Sequence, residues 1–309
     1  MPLKNVICPD GKRVPVEQCL AGNCPNPTRC RPLSFLRVCL SERKWAGVPS
    51  VTQLISGTRY AAFKILKDYD ESASSGVFKA LGTTVHAALD DEDDVSFVEE
   101  HFELNDIGGT ADRIEEQPNG EMWLIDHKVV GSYKVSKALG YVDARENVLD
   151  DAGNQVYFKS GAKKGQPKTR KIVVLDVKQA DRKDWTLQLN YYRMMVEHRL
   201  GYKISRLKIH VIVRDGGTMA ATMRMVKEQD YYIDIDIIPD DTVLAYFEYK
   251  KKKLLDAVDG HTVPGPCSAH ECWDGRKCKS DDYCPVRNYC IAMGDNPFVG
   301  AADDEEEEA

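Results

Sequence analysis

The chain has 309 residues, enough for one large domain with an appendage, and lacks the run of about 18 apolar residues that a membrane-spanning helix needs. Its formal charge of −7 speaks against a nucleic-acid partner only at first sight: six of the negative charges lie between Asp303 and Glu308, and the remainder is near −1. The opening MPLKNVICPDGKRVPVEQC has no apolar core of a secretory leader, so the expected location is the cytoplasm, where clustered cysteines serve as metal ligands sooner than as disulfides.

All ten cysteines stand near the two ends, none in the 227 residues between Cys39 and Cys267. This pattern divides the chain into a Cys-rich metal-binding segment over 1–45, a core over 46–262, a second Cys-rich metal-binding segment over 263–295, and an acidic tail over 296–309 expected to be disordered. Within the core, PSVTQLISGTRYAAFKILKDY (49–69) is expected as one N-capped amphipathic helix, and GVFKALGTTVHAALDD (76–91) as another. Three strands follow: VSFVEEHFEL (95–104), TADRIEE (110–116) and EMWLIDHKV (121–129), the last two joined by a Pro118-Asn119-Gly120 turn. The polar stretch 133–172 is expected as an insertion or mobile loop; it carries Lys159, Lys163, Lys164, Lys168, Arg170 and Lys171 with no acid among them. A helix over 184–200, strands over 205–215 and 230–238, and a long helix over 240–258 with the run Lys250–Lys253 complete the core. The order indicates an α/β fold with a central mixed sheet flanked by helices.

The hairpin carries the chemistry. Antiparallel pairing is expected to bring Asp112, early on one strand, to the same end of the sheet as Asp126, late on the next. Asp126 and Lys128 are two apart and share a strand face. Two carboxylates suit magnesium or manganese, and a lysine beside them can orient or deprotonate a water and steady charge developing on a phosphate. His86 lies one helical turn after Gly82, and Gln188 and Tyr192 are neighbours at i and i+4. A second D-x-K, Asp176 to Lys178, has no comparable strand and turn before it and is expected to be structural.

The order His86, then G-x-x-D ending at Asp112, a turn, D-x-K from Asp126 to Lys128, and Q-x-x-x-Y from Gln188 to Tyr192 resembles the RecB-like branch of the PD-(D/E)xK nucleases, which includes CRISPR-associated and phage exonucleases. The resemblance covers about residues 50–290. It implies a restriction-endonuclease-like core and a catalytic ion held by His86, Asp112 and Asp126, along with the backbone near Ile125 or His127. It further implies a catalytic lysine at Lys128, with Gln188 and Tyr192 supporting the site or contacting DNA. Arg59 keeps the arginine of a motif whose usual cysteine is replaced here by Ser56-Gly57.

Relatives of this branch carry an iron–sulfur cluster on one upstream and three C-terminal cysteines. Here Cys278, Cys284 and Cys290 remain, and Cys272 or Cys39 is the expected fourth ligand. The N-terminal Cys8, Cys19, Cys24 and Cys30, separated by Pro- and Gly-containing turns, suit a structural zinc. Zinc and iron–sulfur stay open at each array, as does one four-thiol site at each end with two cysteines left over.

The expected function is metal-dependent DNA hydrolysis, with Arg59 and the lysine-rich stretch on the DNA, and with recombination or replication proteins as further partners and no membrane. The alternatives are a non-catalytic DNA-binding or assembly scaffold with metal-stapled ends and, third, an iron–sulfur redox sensor.

Overall fold

The structure is a computed structural model that describes residues 3–42, 44–90 and 97–294; the acidic tail lies outside the described residues. In chain order the elements are β1 (Leu3–Ile7), β2 (Arg13–Pro15), α1 (Val16–Leu20), α2 (Leu33–Cys39), α3 (Val51–Ile55), α4 (Thr58–Leu66), β3 (Tyr69–Ser72) and α5 (Val77–Asp90). Next come β4 (Phe97–Leu104), β5 (Ile107–Glu116), β6 (Met122–Val130), α6 (Ser132–Leu139), β7 (Tyr141–Asn147) and β8 (Thr169–Leu175). The chain continues through α7 (Lys183–Leu200), β9 (Ile204–Val213), α8 (Met219–Met223), β10 (Asp230–Ile235), α9 (Asp240–Val258) and α10 (Arg287–Ala292). This is a mixed α/β fold, and its strands hydrogen-bond in the orders β2-β1-β3, β10-β9-β6-β5-β4 and β7-β8. The chain forms two compact units, one of Met1–Ile125, Leu187–Leu207 and Asp236–Ala309, the other of Asp126–Thr186 and Lys208–Ile235.

In the first unit β1 lies parallel to β3 and antiparallel to β2. Apolar side chains from both ends of the chain bury themselves against this small sheet: Leu3, Val6, Leu36, Phe63 and Tyr69 meet Cys284 and Val286. The Phe63 and Tyr289 rings stand edge to face at 5.9 Å. The two cysteine-rich segments therefore share one core. In the same unit β4 and β5 pair antiparallel, and β5 pairs antiparallel with β6, placing Arg113 opposite Ile125. The Pro-Asn-Gly turn forms as expected: Gly120 N donates to Gln117 O at 2.8 Å, and Gly120 takes the positive φ of +80° that glycine adopts without strain.

The helix expected over 49–69 is two helices. Its start is sound, because Ser50 Oγ accepts from Gln53 N while Gln53 Oε1 accepts from Ser50 N, a complete capping box. The break falls at Ser56, whose ψ of 165° is extended, and Gly57 caps the second helix. A Cβ on Gly57 would lie 2.4 Å from Cys267 Sγ, so this glycine lets a distant segment press against the backbone.

The second unit corrects the loop expected over 133–172, which contains α6 and the antiparallel β7–β8 hairpin, paired from Tyr141↔Leu175 to Asn147↔Thr169. Beyond β7 the two arms stay hydrogen-bonded: Val148 N donates to Lys168 O at 2.9 Å and Phe158 N to Gln166 O at 3.0 Å. A polar face does not preclude a strand when its backbone donors and acceptors are paired across a hairpin. Helix α6 is fixed at its start by Asp215, which accepts from both Ser132 N and Ser132 Oγ at 2.6 Å.

Candidate active site

The residues of the ordered motif fall in both units. In the first, His86 on α5 stands with Nδ1 3.5 Å from Asp112 Oδ2 on β5. Gln188 and Tyr192 are buried on α7, with Gln188 Nε2 donating to Tyr192 OH at 3.3 Å, as their helical spacing requires. Gly109 explains how α7 approaches β5: a Cβ there would be 2.5 Å from Tyr192 Cε1. The glycine three residues before Asp112 thus makes room for the tyrosine ring. In the sequence this glycine is simply the first letter of G-x-x-D.

In the second unit Asp126 is 1% exposed and Lys128 Nζ stands 2.5 Å from its Oδ2. Alternation along β6 puts both on one strand face and turns His127 to the other. There His127 Nδ1 meets His210 Nδ1 at 3.0 Å, one ring edge-on to the other, so one nitrogen must donate and the other accept. His210 gave no signal in the sequence, standing in a strand that also carries Ser205, Arg206 and Lys208. The second D-x-K has a different role, as expected: Asp176 Oδ1 accepts from Lys178 N at 3.1 Å and its Oδ2 from Gln179 Nε2 at 2.8 Å, capping a short 3-10 helix at Val177–Gln179.

The cationic residues divide. Lys159, Lys163, Lys164, Lys168, Arg170 and Lys171 are all exposed along the hairpin arm, where Arg170 pairs with Glu146 at 2.7 Å. Arg59 is instead 4% exposed and its Nε donates to Pro264 O at 2.7 Å, which assigns it to holding the 264 segment. Lys250, first of the lysine run on α9, is also buried. Its Nζ donates to Ser56 O at 2.8 Å and Glu271 Oε1 at 2.6 Å. Burial pushes the Glu271 carboxyl up, but the bonds from Lys250 and Ser268 outweigh it and hold the group below the usual range.

The ten thiols, all free, sort by neighbourhood. Burial pushes Cys8 up, and Cys30, Asp10, Cys24 and Cys19 add to the effect. Burial pushes Cys278 up to about 12, with Cys284, Cys272, Cys267 and Cys290 adding to it; Cys284 rises to about 11, chiefly by burial and against the backbone N–H of Val286. Cys267 lies in reach of Cys278, Cys284 and Tyr60, with the backbone N–H of Tyr60 on its sulfur. It occupies the space a side chain at Gly57 would need, whereas Cys272 turns its Sγ to Ala269 O at 3.7 Å. Cys267, absent from the expected ligand set, thus stands with Cys272, Cys278, Cys284 and Cys290. Among the described residues, no three His, Cys, Asp or Glu side chains already converge closely enough to hold a metal ion.

No protein-family model and no curated protein matches the chain. Among solved structures it is similar to one titled "Crystal structure of SSO0001", at 15% identity over 90% of this chain and 94% of that one, with a TM-score of 0.39. That likeness carries no argument about fold or activity. No helix among the described residues is long and apolar enough to cross a membrane.

Proposed function

We propose that the protein is a divalent-metal-dependent deoxyribonuclease with a restriction-endonuclease-like core, hydrolysing phosphodiester bonds as an exonuclease or end-processing enzyme in phage or bacterial recombination and repair. The reading is carried by the Asp126–Lys128 pair, in which a carboxylate 1% exposed lies 2.5 Å from an ammonium two residues along the same strand. A lone salt bridge would serve as well at a strand's surface. The ordered His86, Asp112, Gln188 and Tyr192 give this one a chemical context.

The oxygen donors of Asp112 and Asp126 with the imidazole of His86 suit magnesium or manganese, and they would hold the ion. When bound, such an ion supplies Lewis acidity and a water of lowered pKa. Lys128 would hold or move the proton of the attacking water and offset phosphate charge; its ammonium is not a ligand. Gln188 and Tyr192 hold the packing of α7 on β5 that fixes the Asp112 strand. The exposed lysines of the hairpin arm suit the phosphate backbone of DNA, which makes binding salt-dependent. DNA is the proposed partner, recombination or replication proteins are further ones, and the cytoplasm is the proposed location. Cys278, Cys284 and Cys290, with Cys272 or Cys267 as the fourth thiolate, would hold the iron–sulfur cluster or zinc implied at the C-terminal end.

The test is incubation of labelled single- and double-stranded DNA with protein and manganese, with and without chelator. Wild type and Asp176→Asn should both cleave, and Asp126→Asn should fall to the no-protein baseline while remaining folded. Cleavage retained by Asp126→Asn would end the reading. A wild type that binds DNA without cleaving it would favour the scaffold.

A further inference from the structure

Four thiols at the N-terminal end are accounted for neither by the nuclease reading nor by the shared core alone. Cys8 closes β1 and begins a tight turn, with Gly11 N donating to Cys8 O at 2.8 Å and Cys8 N to Lys12 O at 2.8 Å. Cys19 sits near the end of α1, where Gly22 N donates to Cys19 O at 3.2 Å and Gly22 takes a φ of +84°. Each of these cysteines is thus presented by a glycine-assisted turn, a local form that suits a thiolate ligand. Cys24 and Cys30 lie on the segment 21–32, which contains neither helix nor strand. Lys12 Nζ reaches Asn26 Oδ1 at 3.3 Å, and Arg29 donates to Gly22 O at 2.9 Å.

Cys19, Cys24 and Cys30 all stand within electrostatic reach of Cys8, and Cys24 and Cys30 within that of Cys19. The fifth cysteine of the segment, Cys39, is excluded from the group. It is buried, its electrostatic neighbour is Lys79, and its backbone and Cβ are packed against Gly76, where an added Cβ would meet Cys39 O at 2.4 Å.

We infer that Cys8, Cys19, Cys24 and Cys30 form a zinc site, independent of nuclease activity, that fastens the irregular segment 21–32 to the β1–β2 turn. Four thiolates from two turns and one irregular segment match a closed structural zinc site. Cys24 and Cys30 are half-exposed, which suits a redox-inert ion better than an iron–sulfur cluster. Arg29, in reach of Cys19, supplies a positive charge beside the net negative charge of a zinc tetrathiolate. Among the described residues no three such side chains enclose a point, so the four sulfurs would be drawn together only as zinc binds.

The test is elemental analysis of the full chain purified in zinc-containing buffer, comparing wild type with Cys24→Ser, Cys30→Ser and Cys39→Ser. The first two variants should each lose about one zinc per chain relative to wild type, and Cys39→Ser none. On the unaltered protein, Cys24 and Cys30 should resist alkylation until a strong chelator is added, read by mass spectrometry, so the inference does not depend on the variants folding. Wild-type zinc content in Cys24→Ser, equal loss in Cys39→Ser, iron in place of zinc, or chelator-independent alkylation of Cys24 and Cys30 would each overturn it. None of these readouts involves DNA cleavage, so failure here leaves the nuclease reading standing, and the reverse.

Discussion

Replacing Lys128 with methionine keeps the length of the side chain and removes the charge beside Asp126. The aspartate is 1% exposed, whereas the Lys128 side chain is 23% exposed. Removing one partner of a buried pair costs about 3–5 kcal/mol, and the partial exposure of the lysine places this pair at the lower end, about 3 kcal/mol. With an unfolding entropy of about 2.1 cal/mol/K per residue, each kcal/mol moves the melting temperature of a chain of this size by about 1.5 °C, so Lys128→Met in chelator should melt about 5 °C below wild type. If Asp126 is a metal ligand, manganese can replace the missing positive charge; at about one hundred times Kd it contributes roughly 2.7 kcal/mol. Thermal melting with chelator and with manganese, for wild type, Lys128→Met and Asp126→Asn, measures both effects. Lys128→Met should recover most of its loss on manganese, and Asp126→Asn should not respond. A Lys128→Met melting curve that overlays wild type in chelator would refute the role of the pair in stability. An equal manganese response in Asp126→Asn would refute the aspartate as a ligand.

Gly57→Ala should destabilise the first unit by about 1–3 kcal/mol, because its Cβ would fall 2.4 Å from Cys267 Sγ. Denaturant unfolding checks this, and Gly57→Ala combined with Cys267→Ala should recover part of the loss; a double variant no better than the single one would show that the clash lies elsewhere. Glu271 contributes stability of the depressed-carboxylate kind. The contribution is present above the unfolded value of about 4.3 and is lost as pH falls through the lower folded value. Glu271→Gln should therefore melt at a lower temperature than wild type near neutrality and show a shallower fall in melting temperature below about pH 4. An acid limb as steep as that of wild type would refute the assignment.

The sequence by itself determined what short-range geometry governs. The capping box at Ser50 and Gln53, the turn at Pro118-Asn119-Gly120, the contact of Gln188 with Tyr192 and the shared face of Asp126 and Lys128 each join residues no more than four apart. The second D-x-K was legible as structural for the same reason, since Asp176 bonds to residues two and three places on.

Tertiary structure alone decided the rest. An apolar pattern that runs evenly across Ser56 and Gly57 cannot show that Cys267 will press there and divide the helix. Nor can a basic letter show that Arg59 and Lys250 are buried, because their partners, Pro264 and Glu271, come from a distant segment. The polar stretch over 133–172 became a helix and a hairpin because its backbone bonds are satisfied across the hairpin and by Asp215, which periodicity within the stretch does not reveal. The grouping of the cysteines by chain end was legible in the sequence, whereas the place of Cys39, buried in the shared core beside Lys79, was not. Burial in that core, and not spacing along the chain, decides which sulfur of the N-terminal array stands apart.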